Sequence, residues 1–151
     1  MRLTTLCYIN NNDRYLMVHR NKKTNDENSG KWIGICGHLE EDESPDECIR
    51  REIVEETGLE VYNLRLRGIA TFILQDWGNE LTFLYTADTE EEKVKDCAEG
   101  ELKWIPIKDI MSLELWEGDK IFLPLLQERA DCFSLKLLYD VGGKLMRYVL
   151  E

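Results

Sequence analysis

Three glutamates of one predicted helix are the residues in this sequence best suited to chemistry. Glu52, Glu55 and Glu56 stand at positions i, i+3 and i+4, a spacing that places their carboxylates on one helix face. Like charges so spaced repel by roughly 0.2–0.5 kcal/mol per pair on an exposed helix. Hard divalent cations with oxygen ligands would offset that repulsion. The alternative interpretation is a solvated acidic face, because glutamate is a strong helix former.

Local signals predict the helix that carries these glutamates. Ser44 is a good N-cap, Pro45 suits the first helical position, and Glu47 completes a capping box. Gly58 follows as the glycine expected at the C-cap. We therefore predict a helix over residues 44–57. Its core-facing apolar stripe consists of Cys48, Ile49 and Ile53.

The three glutamates lie inside a longer and more specific pattern. In one-letter code the pattern is G-x5-E-x7-R-E-U-x-E-E-x-G-U, where x is any residue and U is an aliphatic residue. The matching residues are Gly37, Glu43, Arg51, Glu52, Ile53, Glu55, Glu56, Gly58 and Leu59. A chance match at every fixed position would be rare. The sequence therefore resembles a Nudix hydrolase, with a Nudix box over residues 37–59.

This resemblance implies a fold, a domain organisation and a metal site. The expected fold class is α/β (α+β), the Nudix fold, an α/β/α sandwich with a central mixed β-sheet, in one domain over residues 1–151. The implied cofactor is Mg²⁺ or Mn²⁺, held against a diphosphate. Its implied ligands are the Gly37 carbonyl, Glu52, Glu55, Glu56 and, from a later loop, Glu99. Glu101 is the alternative to Glu99.

The resemblance also implies how the reaction proceeds. A water activated by metal attacks phosphorus, and Glu52, Glu55 and Arg51 are the expected catalytic residues. Glu43 and Arg51 are expected to be structural as well, because Arg51 would orient the acidic cluster through charge-assisted hydrogen bonds. A general base is needed too. Its identity varies within the family, in the box or on a later loop, and Glu52 is the first candidate.

Stretches outside the box are similar to the MutT-type branch, which hydrolyses oxidised purine nucleoside triphosphates. They are "RLTTLCYI", "GIATF" and "LWEGDKIFLPLL". Among the implied substrate-binding residues, Trp116 would stack on the purine and Asp119 would bond to its edge. Thr5 and Phe72 would line the pocket. Arg20 would contact phosphate or base. Taken alone, Asp119 is more typical of a helix N-cap.

Three positions depart from that branch. Ile33 stands where an asparagine usually bonds to the oxidised base, Gly118 replaces one of two pocket aspartates, and Cys36 replaces a glycine. The metal site does not depend on these positions. A pocket without those polar groups would discriminate between bases mainly by stacking and shape, which is weak.

Other functions fit the same box. A different Nudix substrate is the first alternative: ADP-ribose, a dinucleoside polyphosphate or an isoprenoid diphosphate. The "DWGNELTF" stretch shows no proline where the ADP-ribose branch usually carries one. A nucleotide-sensing or protein-binding module without turnover is the second alternative, and the intact box speaks against it.

Hydrophobic periodicity, together with the residues that end helices and strands, predicts the secondary-structure elements that must position the site. We expect strands at 2–9 and 15–19 joined by a turn at 10–14, a polar loop at 21–31, and a short strand at 32–36. Longer strands at 61–74 and 81–88 should form a hairpin. We then expect a charged loop at 89–101 and a strand at 102–105. They are followed by a second helix at 119–129, which contains Pro124, and a final hairpin at 132–139 and 144–150.

Composition limits the possible partners. The net charge of −11 argues against duplex nucleic acid and anionic membranes, which attract basic surfaces. The five cysteines are scattered without a CxxC pair, so neither a disulfide framework nor a zinc site is indicated. No apolar run is long enough to span a bilayer. We expect a cytoplasmic protein, monomer or homodimer, whose partner is a small nucleotide.

The remaining basic side chains have less specific interpretations. Lys22, Lys23 and Lys31 flank the predicted site and could steer an anionic substrate, although a solvated loop explains them equally well. His19 lies in a predicted strand and is expected to be structural. His38 follows the first glycine of the box and is expected to be an exposed bystander.

Overall fold

The computed structural model describes residues 1–22 and 27–151. The strands in this part of the chain are β1 (Arg2–Asn11), β2 (Arg14–His19), β3 (Trp32–Ile33), β4 (Ile35–His38), β5 (Tyr62–Ile73), β6 (Glu80–Asp88), β7 (Glu101–Pro106), β8 (Phe133–Tyr139) and β9 (Leu145–Leu150). The α-helices are α1 (Pro45–Thr57) and α2 (Asp119–Glu128), and a short 3₁₀ helix spans Ile107–Ser112.

The strands form one mixed sheet. Its order is β3-β2-β1-β6-β5-β8-β9, with β4 paired to β1 and β7 paired to β2. The pairs β1–β6 and β5–β8 are parallel, and the other pairs are antiparallel. The predicted fold class, a mixed sheet with few helices, is confirmed.

The two helices cover opposite faces of this sheet. Along β1, Cys7 and Ile9 belong to the core cluster that contains Ile49 and Ile53 of α1, whereas the intervening Tyr8 belongs to the cluster of α2. Successive strand residues point to opposite faces. The sheet therefore lies between α1 and α2, which places one core layer on each side.

The predicted termini of α1 are confirmed. The Ser44 side chain accepts a hydrogen bond from the Glu47 amide at 3.1 Å, and the Ser44 amide donates to the Glu47 carboxylate at 3.0 Å. Gly58 ends the helix with a φ of 73°, which glycine adopts without strain. Both ends of the helix that carries the acidic residues are thus held by local contacts.

Several details of the predicted elements were wrong. The turn expected at 10–14 is shorter, because β1 continues to Asn11 and β2 begins at Arg14. The single strand expected at 32–36 is two strands, because the chain changes partner at Gly34: β3 pairs with β2 and β4 pairs with β1. A side chain at Gly34 would lie 2.6 Å from the Cys7 carbonyl oxygen, so the chain can cross there only as glycine. Glu80 begins β6 instead of ending a loop, and the 3₁₀ helix was not predicted.

Part of one prediction lies outside the described residues. The polar loop expected at 21–31 includes residues 23–26, and Lys23, a candidate for steering, is among them. Within the described ranges, no helix is long and apolar enough to cross a membrane.

Candidate active site

The N-terminal part of the site is a contact between a strand and a helix. Gly37 lies near the end of β4, directly against Glu52 of α1. A Cβ atom at Gly37 would stand 2.2 Å from the Glu52 carboxyl carbon. The absence of a side chain at Gly37 therefore lets the helix carboxylate approach the strand backbone.

Arg51 makes the charge-assisted hydrogen bonds predicted for it. Its guanidinium donates to both oxygens of Glu43, at 2.7 and 2.9 Å, and to the Glu52 carboxylate at 2.6 Å. The same group reaches Glu55 at 3.2 Å and the His38 carbonyl at 3.2 Å. The Arg51 guanidinium holds the pKa of Glu43 at about 2, so this tie between the loop and α1 stays ionic at neutral pH.

Glu56 lies in the least solvated part of the acidic cluster. Its Oε2 atom is buried and has no hydrogen-bond partner among the described residues. Burial first, and then the charges of Glu52 and Glu99, raise the pKa of Glu56 to about 8. Arg20, which is 8% exposed, pairs with Glu99 at 3.0 Å and opposes that rise. Ionisation of Glu56 is therefore costly, and its carboxyl, like that of Asp119, is mostly protonated at pH 7.

These residues fit a divalent cation. The donors are carboxylate and carbonyl oxygens, which hard cations prefer, and the buried Oε2 atom of Glu56, for which the described residues offer no hydrogen-bond partner, is free to coordinate one. In the described part of the chain, no three acidic, imidazole or thiol side chains already stand close enough together to hold a metal ion. The Arg51 guanidinium engages one oxygen each of Glu52 and Glu55.

A cavity of about 730 Å³ extends from this cluster across the sheet. Its acidic end is lined by Gly37, Arg51, Glu52, Glu56 and Glu99. Its other end is lined by Ile33, Phe72, Trp116 and Asp119, and Thr5 and Arg20 lie along its wall. This volume is within the range of small-molecule sites. The tertiary structure thus joins residues from both ends of the sequence in one space.

Aromatic contacts and one hydrogen bond hold Trp116 at the second end. The indole nitrogen donates to the Asn28 side chain at 2.6 Å. The ring meets Tyr139 edge-on, with centroids 5.5 Å apart, and the Lys31 ammonium lies 4.8 Å from the Trp116 ring centroid. The predicted base platform is therefore fixed on several sides, and Lys31 contacts this residue instead of standing in a solvated loop.

Asp119 is almost fully buried beside Trp116. Its side chain is 3% exposed, and burial raises the pKa of Asp119 to about 8, with Lys31 acting against the rise and Glu80 adding to it. The carboxyl is consequently neutral at pH 7 and can both donate and accept a hydrogen bond. The alternative role of helix N-cap was wrong, because Gly118 occupies that position and α2 begins with Asp119.

Not every predicted site residue reaches the cavity. Glu55 does not line it, and its side chain is 58% exposed. Glu101 opens β7 and pairs with Lys103 at 3.6 Å, whereas Glu99 lines the cavity. His19 stacks on Trp32 with centroids 4.5 Å apart, as expected of a structural residue. His38 is exposed, as predicted, and it also lines the cavity.

Several lining residues were missed by sequence reasoning. Thr4 and Thr82 share a hydrogen bond of 2.8 Å, and Thr82 in turn donates to Glu80 at 3.3 Å. Glu27, held by Arg2 at 2.6 Å, and Asn28 also face the cavity. For the two threonines the sequence does offer a signal, because each is a polar residue among the apolar residues of a predicted strand. No local pattern marks the other residues.

Comparison with known proteins identifies the class of protein that this fold and site define. The chain matches the NUDIX domain over residues 1–126, and it belongs to the Nudix family. Members of this family are pyrophosphohydrolases that act on phosphorus-containing anhydrides, and they generally use divalent metal ions.

Individual relatives are similar at modest identity. The chain is 26% identical to the uncharacterized Nudix hydrolase YvcI of Bacillus subtilis, over 100% of this chain and 95% of that protein. It is 27% identical to the oxidized purine nucleoside triphosphate hydrolase of Mus musculus, over 72% of this chain and 70% of that one. The crystal structure of the MutT protein from Bacillus halodurans superposes with a TM-score of 0.87 at 26% identity, covering 100% of this chain and 98% of that chain.

Proposed function

We propose that this protein hydrolyses purine nucleoside triphosphates, oxidised purines such as 8-oxo-dGTP among them, to the nucleoside monophosphate and pyrophosphate, with Mg²⁺ or Mn²⁺ as cofactor. In this reaction water adds to phosphorus as the anhydride bond breaks. The observation that carries the proposal is the single cavity that joins the acidic cluster to Trp116 and Asp119. The similarity to the mouse enzyme for oxidised purines supports it.

The acidic end would hold the cation and the phosphates. Glu52, Glu56, Glu99 and the Gly37 carbonyl are the proposed ligands, with the exposed Glu55 closing the site from its rim. A divalent cation bound here would neutralise phosphate charge and lower the pKa of water. Arg51 would orient Glu52 through their 2.6 Å hydrogen bond. Glu52 is the first candidate for the general base, because burial raises its pKa towards the range that suits a base at neutral pH.

The other end would hold the purine. The ring would stack on Trp116 and lie beside Phe72. The neutral Asp119 carboxyl would bond to the base edge as donor and acceptor together, and Thr5 would pack behind it. Arg20, half of the 3.0 Å pair with Glu99, would contact phosphate. We propose that the protein acts in the cytoplasm, where free nucleotides occur. We also propose that residues 1–151 form one domain.

Selectivity for the oxidised base should be modest. Ile33 is 5% exposed and presents an apolar surface to the cavity, so it bonds to no base substituent. At this position, an apolar surface rejects an analogue with one extra polar atom only weakly. The ratio of kcat/KM for 8-oxo-dGTP and dGTP is therefore expected within about 100-fold.

Product analysis tests this function directly. The protein is incubated with 8-oxo-dGTP, dGTP, ADP-ribose and a dinucleoside tetraphosphate, with and without Mg²⁺, and the products are separated by HPLC. We expect Mg²⁺-dependent formation of monophosphate and pyrophosphate from the two triphosphates. Faster cleavage of ADP-ribose would overturn the substrate assignment and leave the metal chemistry standing. Binding without cleavage of any compound would favour the sensor function.

A further inference from the structure

The hairpin β8–β9 contacts the segment 116–119 at three points, although it lies beyond the family match at residues 1–126. The Gly118 amide donates to the Tyr139 hydroxyl at 2.6 Å, and the Leu145 amide donates to the Glu117 carboxylate at 2.9 Å. Gly143, in the hairpin turn, lies against the Trp116 ring, since a Cβ there would be 3.6 Å from it. The hairpin therefore supports the base-binding segment from behind.

Tyr139 is the centre of this support. It is 2% exposed. Its ring meets Trp116 edge-on at 5.5 Å and stacks with Phe72 at 6.3 Å between centroids. Its hydroxyl reaches the first turn of α2, where amide groups lack partners within the helix. Since Gly118 offers no side-chain cap, the hydroxyl adds a side-chain contact to a helix end whose following amides bond to the backbone carbonyls of residues 116–118.

The same contact explains why residue 118 is glycine. The φ of Gly118 is −64°, which any residue adopts, so the backbone does not require glycine. The space does: a Cβ at Gly118 would lie 2.5 Å from the Tyr139 hydroxyl oxygen and 2.8 Å from a methyl group of Leu137. Gly118, which replaces a pocket aspartate of the related branch, is thus paired with Tyr139.

We propose that Tyr139 is a positioning residue for base recognition, whose hydroxyl fixes the Gly118 amide and so sets how Trp116 and Asp119 face the cavity. This inference rests on the proposed function, because it assumes that a base binds at this end. Tyr139 acts on the affinity for the base and does not take part in the chemistry at phosphorus.

The first test compares Tyr139→Phe with Tyr148→Phe, a half-exposed tyrosine on β9 of the same hairpin. Steady-state kcat and KM are measured for dGTP and for 5-phosphoribosyl 1-diphosphate, a diphosphate without a base. We expect Tyr139→Phe to raise the KM for dGTP about three- to ten-fold, the effect of one neutral hydrogen bond, with kcat and the base-free substrate unchanged. Tyr148→Phe should change nothing. An unchanged KM for dGTP, or equal losses on both substrates, would overturn the proposal.

The second test is a double-mutant cycle. Gly118→Ala forces a methyl group against the Tyr139 hydroxyl and should raise the KM for dGTP. In the Gly118→Ala/Tyr139→Phe variant the oxygen is gone and only the contact with the flexible end of Leu137 remains. The combined loss should therefore be smaller than the product of the single losses. Independent, multiplicative effects would contradict the pairing of these two residues.

A substrate-independent measurement separates this inference from the proposed function. Hydrogen exchange of the Gly118 amide, followed by NMR, should accelerate in Tyr139→Phe and not in Tyr148→Phe. If the wild-type protein cleaves ADP-ribose and not triphosphates, the proposed function fails, and the KM for ADP-ribose becomes the test of base positioning. If amide exchange is unaltered in Tyr139→Phe, the positioning role fails whichever nucleotide is cleaved.

Discussion

The two ends of the cavity are held together by different forces. At the acidic end, Arg51 and Glu43 form a network of ionic hydrogen bonds within the single stretch 37–59. Nearby, the Oε2 atom of Glu56 has no hydrogen-bond partner in the described part of the chain. At the base end, Trp116, Phe72 and Tyr139 come from three distant segments and meet through ring contacts and one buried hydroxyl.

This difference separates catalysis from affinity. The carboxylates at the acidic end repel one another and do not stabilise the fold. Substitutions there should therefore alter turnover strongly and stability little. The base end is ordinary packing, so its change should alter binding by the few kcal/mol that stacking and hydrogen bonds contribute.

Removal of divalent metal should abolish turnover and leave the fold intact. Dialysis against EDTA removes the counter-charge that the acidic end requires. We expect product formation to stop and to return on addition of Mg²⁺ or Mn²⁺, while circular dichroism stays unchanged. Undiminished activity in EDTA would show that the acidic end works without a cation.

Glu56→Gln should lower kcat on the order of 1,000-fold, because a metal ligand contributes several kcal/mol to the transition state. Its melting temperature should stay within a few degrees of the wild type, since an uncharged amide suits this buried position. Kinetics and thermal melting are measured together, with Glu60→Gln, on the exposed residue just beyond the helix, as control. Glu55→Gln, at the rim, should lose less activity than Glu56→Gln. A larger loss of activity in Glu55→Gln would show that exposure at the cavity rim does not determine how much each glutamate contributes to turnover.

Trp116→Ala should raise the KM for purine nucleotides about 5- to 150-fold, which corresponds to the roughly 1–3 kcal/mol of base–aromatic stacking. The kcat value should change little, because the phosphate end is untouched. Trp77→Ala, in the exposed turn between β5 and β6, is the matched control. A large fall in kcat with normal KM would mean that the two ends are not separable.

The pH dependence of stability should reveal Asp119. Its folded-state pKa of about 8 lies above the ordinary value of 3.8, so the folded protein binds a proton that the unfolded chain releases. The stabilisation from the neutral carboxyl is complete below pH 4 and is lost as pH rises towards 8, by up to about 1.36 kcal/mol per pH unit. Asp119→Asn removes this loss. Melting temperatures from pH 5 to 9 should therefore diverge, with the variant increasingly more stable, and parallel curves would contradict a buried neutral Asp119.

Much of the acidic end could be predicted because its causes are local. The capping box of α1 acts over three residues, the contact of Arg51 with Glu55 follows from helix spacing, and its contacts with Glu43 and Glu52 span at most eight residues of chain. The sequence did not show that Glu55 is exposed while Glu56 is buried. That distinction depends on which strands and loops cover each carboxylate, and adjacent residues of one helix give no sign of it.

The base end could be predicted only through resemblance. Trp116 and Asp119 were located in this way, but Glu80 was assigned to a loop, and Tyr139 was only one apolar position of a strand. A hydroxyl that meets Gly118 across 21 residues of chain leaves no periodic signal in either segment.

Residue types and short spacings are enough to establish the family, the mixed sheet, the helix α1 with its caps, and the oxygen-rich chemistry of residues 37–59. The tertiary structure decided which glutamates face the cavity, why Gly118 has no room for a side chain, and why Asp119 is neutral. Burial and desolvation arise from segments that meet only after folding, so these properties belong to the assembled sheet and its two helices.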